Sequence, residues 1–304
     1  MQIFHNLSSL ISQDPTVLTI GAFDGVHLGH QQLIRSVVES AQASGRQAAL
    51  VTFFPHPSVV LGRAEPFYLT SNKEKLEQFE QLGLDLAVVV EFTRETAQIR
   101  AAQFVDLLIE NLGMRELWIG HDFALGYKRE GDAAFLHAMG IERKFTFHQA
   151  EPVMLDGQPV SSSRIREALR AGDMRQVSAC LSRPFQLSGV VTQGVQRGRQ
   201  LGVPTANLAV WAEHAIPRNG IYACRAHVGD AMHPAVTNIG TRPTFDNGAR
   251  TIEAHLLDYN GDLYGQTMAL DVVEYQRPEI KYDSVEALIA QMQEDIRVAR
   301  SILS

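Results

Sequence analysis

The 304-residue chain has few cysteines and no long apolar run. Only two cysteines occur, Cys180 and Cys224, far apart and in no metal-type pairing, so we expect two reduced thiols in the core of a cytoplasmic protein. The longest apolar runs, such as LAVVV at residues 86–90, are far too short to span a bilayer. Residues 1–15 contain no basic segment and no sustained apolar core, so we expect no signal peptide.

Positively charged residues are also fewer than negatively charged ones. Lysine and arginine number 27 against 34 aspartates and glutamates, and the resulting net charge of −7 argues against nucleic acid as a general partner. A small anion held at a local site is still compatible with that charge. The composition is 45% apolar and 20% charged, which is typical of a folded globular protein, and the length favours two domains.

The first part of the chain, residues 1–182, alternates strand-like and helix-like segments. The apolar stretches VLTIGAF, AALVTFF, LAVVVEF and ELWIG predict strands, and a helix is predicted over about His30–Ala43. Ser71 and Glu74 predict a capping box for a helix that ends at Gly83. The alternation predicts an α/β domain with a parallel, Rossmann-like sheet, whose ligands bind at the carboxyl ends of the strands.

The second part, residues 183–304, has a different rhythm. Five short strand candidates follow one another with turn residues between them and no long helix: FQLSGVVTQ, GIYACRAHV, HPAVTNIG, TIEAHLLDY and TMALDVVEY. This pattern predicts an antiparallel barrel or sandwich. An amphipathic segment, which Asp283 or Ser284 could cap, predicts a terminal helix.

The stretch IGAFDGVHLGHQQLI, residues 20–34, places two histidines where a predicted strand gives way to a helix. Its glycines do not fit G-x-G-x-x-G, and the sequence contains no Gly-Lys pair for a P-loop. A metal site is not favoured because no third ligand stands at an obvious spacing. A helix N-terminus attracts anions, so His27 and His30 are predicted to donate hydrogen bonds to one phosphate chain. Two loop histidines without a role are the alternative.

This stretch resembles the H-x-G-H signature of the nucleotidyltransferase superfamily, in the form found in bacterial bifunctional riboflavin kinase/FAD synthetases. Later stretches resemble further motifs of that family in the same order: VTFFPHP, GHDFALG, VSSSRIREAL, GRQLGVPTANL, GTRPTF and IEAHLLDYNGDLYG. The resemblance runs from about residue 17 to residue 300. It implies a nucleotidyltransferase domain over residues 1–182 and a riboflavin kinase barrel over residues 183–304.

For the first domain, the resemblance implies that His27 and His30 stabilise charge while the α-phosphate of a nucleotide is attacked. It also implies nucleotide or flavin contacts for Gly21, Phe23, Asp24, Gly25, Gly29, Pro55, His56, Pro57, Asp122, Ser161, Ser162, Ser163 and Arg166. Asp24 and Lys75 match family positions too, although ordinary structural roles are as well supported for them. The chain departs from the family pattern at Phe54, where aspartate is usual, at Leu125, which replaces an aromatic residue, and at Ser163, which replaces threonine.

For the second domain, the resemblance implies a general base, Glu253, that takes the proton from the 5′-hydroxyl of riboflavin. Glutamates in strands more often simply face solvent, and this is the competing interpretation. Thr205 and Asn207 are implied to hold the Mg²⁺ that arrives with ATP, because Mg²⁺ prefers oxygen ligands. Three glycines spaced four apart predict a loop whose backbone approaches the phosphates: Gly194, Gly198 and Gly202.

Together these implications predict phosphorylation of riboflavin to FMN, followed by adenylylation of FMN to FAD. Riboflavin, FMN and ATP are then substrates, Mg²⁺ is the cofactor, and no nucleic acid or membrane partner is expected. One alternative is an FMN adenylyltransferase whose second half only binds flavin. Another is a flavin-carrying protein without catalysis. The sequence leaves the oligomeric state open.

Overall fold

The computed structural model describes residues 1–7, 14–193, 203–241 and 250–304. The chain divides into two compact units, Met1–Ser162 and Ser163–Ser304. The domain boundary predicted near residue 182 stays a prediction.

The first unit is built on one six-stranded sheet whose neighbouring strands are all parallel, in the order β1-β4-β3-β2-β5-β6. Its strands are β1 (Gln2–His5), β2 (Thr16–Ile20), β3 (Gln47–Phe54), β4 (Leu86–Glu91), β5 (Met114–Ile119) and β6 (Thr146–Gln149). Its helices are α1 (Leu28–Ser44), α2 (Pro57–Val60), α3 (Asn72–Gln81), α4 (Ala101–Leu112) and α5 (Ala133–Arg143), and a hairpin, β7 (Met154–Leu155) and β8 (Gln158–Pro159), follows β6.

Helices cover both faces of this sheet, as its sequence predicts. One core cluster joins β2 and β3 to α1 and α3, and the other joins the sheet to α4 and α5. The central strands are buried on both sides, which explains why they read as continuous apolar runs. The strand order reverses at β2, which lies between β3 and β5, so the loops after β2 and β5 flank the crevice where such sheets bind ligands.

The second unit is a closed barrel of six strands, in the order β10-β13-β12-β11-β14-β9, with every pair antiparallel. The strands are β9 (Phe185–Thr192), β10 (Ala206–Val210), β11 (Gly220–Val228), β12 (Ala231–Thr241), β13 (Arg250–Leu256) and β14 (Thr267–Arg277). The remaining helices are α6 (Ser162–Ala171), α7 (Met174–Leu181) and the terminal α8 (Val285–Leu303). Of the two antiparallel architectures predicted, the barrel is the one observed.

Local capping signals are confirmed. The Ser71 hydroxyl accepts a hydrogen bond from the Glu74 backbone N–H at 3.2 Å, and the Glu74 carboxylate accepts one from the Ser71 N–H at 2.8 Å. Ser284, rather than Asp283, caps α8 by accepting a hydrogen bond from the Ala287 N–H at 3.1 Å. The sequence did not predict β1, β6, the hairpin, α5 or β10, which are short or weakly periodic.

Both thiols lie in the core, as predicted. Cys180 and Cys224 are fully buried and are not joined in a disulfide. Burial raises the pKa of the Cys224 thiol to about 12, so this side chain is a neutral core residue near pH 7. Among the described residues, no helix is long and apolar enough to cross a membrane.

Candidate active sites

The two histidines of the first stretch are brought together at the start of α1. His27 is the N-cap residue, and its Nδ1 accepts a hydrogen bond from the His30 backbone N–H at 3.4 Å. The two imidazole rings stack with centroids 3.6 Å apart and planes 18° apart. A Cβ on Gly29 would stand 3.2 Å from the His27 ring, so glycine leaves the room that this ring position needs.

The loop before α1 has an unusual backbone. Phe23 and Val26 have φ angles of 51° and 40°, and a β-branched residue at positive φ is strained. The loop is held in place by its neighbours, since the Gln31 side-chain amide donates to the Val26 carbonyl at 2.9 Å. Gly25, at φ 84°, leaves no room for a side chain because a Cβ there would stand 2.8 Å from Leu69. Such strained loops cluster at functional sites.

Asp24 anchors this loop to the segment before α3. Its buried carboxylate accepts hydrogen bonds from the Leu69 N–H at 3.0 Å and the Thr70 N–H at 3.2 Å. Its backbone carbonyl accepts a hydrogen bond from the Ser162 hydroxyl at 2.9 Å. The contacts therefore give Asp24 a positioning role in the loop, and its predicted ligand contact stays a prediction.

His30 is held in its neutral form. Burial lowers the pKa of His30 well below its usual value, and the nearby His27 and Lys75 lower it further. Its Nδ1 is buried and has no hydrogen-bond partner in the described part of the chain. The Phe23 ring packs edge-on against the His30 ring, with the ring centroids 5.1 Å apart, so Phe23 forms part of the apolar surroundings of the imidazole. A neutral imidazole donates through only one nitrogen, so His30 can offer one N–H to a phosphate.

The predicted flavin-side segment lies at the carboxyl end of β3, where α2 begins. His56 is the N-cap residue of α2, and its Nδ1 accepts a hydrogen bond from the Ser58 N–H at 3.1 Å. The His56 N–H donates to the Tyr68 hydroxyl at 3.0 Å. Phe54 is half-buried, and its ring packs against Tyr68 with centroids 5.8 Å apart. The departure at Phe54 therefore gives this segment an aromatic pair.

The GHDFALG segment follows β5 at the same edge of the sheet. Asp122 is exposed, and its backbone carbonyl accepts a hydrogen bond from the Arg129 guanidinium at 2.7 Å. Leu125 is buried in the core, which explains how an aliphatic side chain serves where the family has an aromatic one. Gly126, at φ 77°, passes so close to α4 that a Cβ would stand 2.6 Å from the Ala101 backbone.

In the second unit, Asn207 on β10 lies directly opposite Glu253 on β13 in the strand register. The same register continues on both sides, because Asn207 also faces Thr192 on β9 and Glu253 also faces Asn238 on β12. Residues directly opposite each other share one face of a sheet, with Cβ atoms about 4.5–5.5 Å apart. Four strands of the barrel therefore present a polar row, defined by Thr192, Asn207, Glu253 and Asn238.

This polar row lies on the outer wall of the barrel. The alternating neighbours Ile252, Ala254 and Leu256 are buried, whereas Glu253 is half-buried. Asn207 is likewise half-buried between buried neighbours on its own strand. A reaction that uses Glu253 therefore takes place on the surface of the barrel.

The oxygen donors beside Glu253 suit a magnesium ion that arrives with a nucleotide. Thr205 is half-buried just before β10, and Asn207 stands beside the carboxylate of Glu253 on the same face. One carboxylate with neutral oxygens is a modest donor set, which suits Mg²⁺ that keeps waters and phosphate ligands. Among the described residues there is no cluster of three or more His, Cys, Asp or Glu side chains that could hold a metal alone.

Comparisons with known proteins agree with both halves of this geometry. A family model described as FAD synthetase matches residues 10–164, and one described as riboflavin kinase matches residues 181–303. The bifunctional riboflavin kinase/FMN adenylyltransferase of Listeria monocytogenes is 35% identical over 95% of this chain and 92% of its own length. The chain belongs to the bifunctional riboflavin kinase/FMN adenylyltransferases.

Two further proteins are similar to this chain over nearly its whole length. The bifunctional enzyme of Escherichia coli K12 is 35% identical over 97% of this chain and 95% of its own length. A crystal structure of a protein from Streptococcus pneumoniae, named a macrolide-efflux protein, has a TM-score of 0.91 at 26% identity and covers 98% of each chain. The resemblance stated from the motifs is thus confirmed at the level of the family.

The structure brings some of the predicted site residues together, and others lie apart or outside the described residues. The loop of Gly21, Phe23, Asp24, Gly25, His27, Gly29 and His30 forms one cluster in the first unit. Ser163 and Arg166 belong to the second unit by its contacts, and their approach to the phosphate stays a prediction. Gly194, Gly198 and Gly202 lie outside the described residues. The individual roles of Pro55, Pro57 and Ser161 also stay predictions.

Lys75 was predicted only as a match to a family position, with no definite role, and Asn238 was not predicted. Lys75 is a buried lysine beside the histidine loop, and its burial is seen only in the folded chain. Asn238 stands in register with Glu253, and its Oδ1 is buried without a hydrogen-bond partner among the described residues. The pairing of β12 with β13 places Asn238 beside Glu253, and no pattern in the sequence predicts this pairing.

Proposed function

We propose that the chain phosphorylates riboflavin with ATP to give FMN, and then transfers AMP from a second ATP to FMN to give FAD. The observation that carries the proposal is the match to both family models on one chain, in residues 10–164 and 181–303. Each matched region contains its own cluster of chemistry-bearing residues, around His27 and His30 in one and around Glu253 in the other.

In the kinase step, the 5′-hydroxyl oxygen of riboflavin attacks the γ-phosphorus of ATP and the bond to the bridging oxygen breaks, releasing ADP. The hydroxyl proton goes to Glu253, which acts as the general base. The half-buried position of Glu253 beside Asn207 supports this role, because the carboxylate is accessible and has a polar neighbour. Phosphoryl transfer otherwise depends mainly on positioning and on neutralisation of charge.

In the adenylyl step, a phosphate oxygen of FMN attacks the α-phosphorus of ATP and pyrophosphate leaves. That oxygen is already anionic near neutral pH, so no base is required. His27 and His30 lie at the N-terminus of α1, where backbone N–H groups and the helix dipole favour an anion. Their role is to donate hydrogen bonds to the phosphates as negative charge develops.

Thr205 and Asn207 would hold Mg²⁺ in the kinase site. When bound with ATP, this ion supplies positive charge that neutralises the phosphate oxygens. The substrates riboflavin, FMN and ATP follow from the two activities. A cytoplasmic location, the absence of a nucleic-acid or membrane partner, and the role of Mg²⁺ are parts of this proposal.

A single assay tests the proposal. The purified protein is mixed with riboflavin, ATP and Mg²⁺, and the flavins are separated by chromatography. The appearance of FMN followed by FAD is the expected result. Formation of FAD only from supplied FMN would instead support an adenylyltransferase with a non-catalytic second domain, and no turnover of either flavin would contradict both activities.

A further inference from the structure

Lys75 on α3 is almost completely buried, with 5% of its surface exposed, and its ammonium lies beneath the histidine loop. The Nζ donates hydrogen bonds to the Ala22 carbonyl at 3.2 Å and to the Thr52 hydroxyl at 3.1 Å. The Thr52 hydroxyl in turn donates to the same Ala22 carbonyl at 3.1 Å. Lys75 therefore ties the loop after β2 to β3 and α3.

The charge of this lysine is not balanced by a direct partner. Both of its hydrogen-bond acceptors are neutral oxygens, and Lys75 makes no ion pair with a carboxylate in residues 1–7, 14–193, 203–241 or 250–304. Asp24 acts on it electrostatically, but that carboxylate is already engaged by two backbone N–H groups. A buried ammonium without a counter-ion is costly, and such groups are candidates for functional sites.

The position of the ammonium matches the place where a polyphosphate is expected. Ala22 lies in the loop that follows β2, and Thr52 lies near the carboxyl end of the neighbouring β3, so both stand at the edge of the sheet where the predicted phosphate and flavin segments begin. The field of Lys75 reaches His30, because it contributes to the lowered pKa of that imidazole. His30 is neutral and adds no positive charge to this loop region, whereas the Lys75 ammonium lies beside it.

We propose that Lys75 is a positioning residue of the adenylyl-transfer site, which holds the Ala22 carbonyl and supplies the fixed positive charge that favours the polyphosphate of ATP. This inference rests on the proposed function of the first domain. An anion bound above the loop adds negative charge to that of Asp24 near the ammonium. The unfavourable burial of the ammonium is thereby offset in the substrate complex.

The pH dependence of kcat/KM for ATP distinguishes an electrostatic role of Lys75 from a purely structural one. Burial lowers the pKa of Lys75 to about 8, against the opposing influence of Asp24. Below that pH the ammonium is charged, and above it the charge is lost, so kcat/KM for ATP in the adenylyl reaction should fall above about pH 8. This parameter reports the ionisation of free enzyme and free substrate. The other titratable groups around the loop are Asp24, His27 and His30, and burial keeps His30 neutral in this range.

The test compares Lys75→Met with Lys73→Met across pH 6.5 to 9, measuring FAD formation from supplied FMN. Lys73 is on the same helix, its side chain is 86% exposed, and its Nζ lies 3.9 Å from the Glu77 carboxylate, so it is the matched control. We expect Lys75→Met to lower kcat/KM for ATP at pH 7 on the order of 10- to 100-fold and to abolish the alkaline decline. Lys73→Met should reproduce both the wild-type rate and the wild-type profile.

Riboflavin phosphorylation on the same preparations and a melting curve serve as folding controls. If Lys75→Met does not fold, Lys75→Arg decides, since a guanidinium stays charged and should keep the profile flat up to pH 9. An unchanged alkaline decline in either folded variant, or wild-type kcat/KM in Lys75→Met, would overturn the inference. If the wild-type enzyme makes FAD but its kcat/KM for ATP does not fall near pH 8, the inference about Lys75 is wrong and the proposed function stands. If the wild-type enzyme makes no FAD, the proposed function itself is contradicted.

Discussion

The imidazole rings of His27 and His30 stack face to face, with centroids 3.6 Å apart. Burial lowers the pKa of His30 well below its usual value, and repulsion between the two stacked rings lowers it further. His30 is therefore neutral, and in the proposed adenylyl step the two rings act as hydrogen-bond donors rather than as two cations. In that proposal the N-cap residue His27 and His30, three residues later in the first turn of α1, each offer one N–H to the anion.

The first prediction concerns His30→Ala. Loss of one preorganised donor to developing phosphate charge typically lowers a rate by about 10²–10³-fold, and FAD formation should fall by that order. Riboflavin phosphorylation should be nearly unchanged, so FMN should accumulate in the coupled assay. His137→Ala removes an exposed histidine from α5 of the same unit and is the matched control. Equal losses of both activities in His30→Ala would mean that the substitution disturbs the fold.

The second prediction concerns Glu253→Gln, which keeps the shape of the side chain and removes its basicity. A positioned carboxylate contributes about 10²–10⁴-fold by accepting the proton of the attacking hydroxyl, so FMN formation should fall by that order. FAD formation from supplied FMN should stay near the normal rate, because that nucleophile is already an anion.

Glu286→Gln, an exposed glutamate in the first turn of α8, is the control for Glu253→Gln. Both rates are measured on one preparation together with a melting curve. Riboflavin phosphorylation that survives within a few-fold in Glu253→Gln would show that another residue is the base.

The third prediction concerns metal removal. The described residues contain no carboxylate-rich metal cluster, so Mg²⁺ should arrive with ATP and should not stay bound after chelation. EDTA in excess should stop both FMN and FAD formation, and added Mg²⁺ should restore them within the time of mixing. Turnover that continues in excess chelator, measured by separation of the flavins, would argue against this dependence.

The fourth prediction concerns the attachment of α8 to the barrel. The Arg277 guanidinium on β14 donates to the carboxylate of Asp295 through Nε at 2.7 Å, and Asp295 is only 5% exposed. Arg277→Met leaves a buried carboxylate without its partner, so the free energy of unfolding should fall by about 3–5 kcal/mol. The double variant Arg277→Met with Asp295→Leu should recover much of that loss.

The tryptophans allow this measurement in the full chain. Trp118 lies in the first unit and Trp211 in the second, and no other tryptophan occurs. In a Trp118→Phe background, Trp211 fluorescence in urea therefore follows the second unit alone. An unchanged urea midpoint for Arg277→Met would show that the ion pair does not stabilise the helix attachment.

The sequence predicts the features whose signals are local. Ser71 and Glu74 are three residues apart, and their capping box follows from that spacing alone. The parallel sheet follows from apolar strands that alternate with amphipathic helices. By contrast, β10 was not predicted as a strand, because five residues with a Pro-Thr lead-in look like a turn until β9 and β13 pair with them.

The parts of the sites that the sequence does not predict depend on packing and register. Apart from the family resemblance, the sequence gives no reason to separate Lys75 from Lys73 two residues earlier, yet one is buried beneath a loop and the other is exposed. Asn238 is fifteen residues from Glu253 along the chain and directly opposite it on the barrel. Side-chain neighbours of this kind are determined by the folded topology, which the family motifs do not encode.

The burial of both thiols has a practical consequence for spectroscopy of this enzyme. Cys180 and Cys224 are the only cysteines of the chain, and both are inaccessible in the folded protein. A cysteine introduced at an exposed position would therefore be the single site that maleimide reagents label under native conditions. Dyes or spin labels could then be attached without first removing the native thiols, and each step of the two-reaction cycle could be followed as a signal from one chosen surface position.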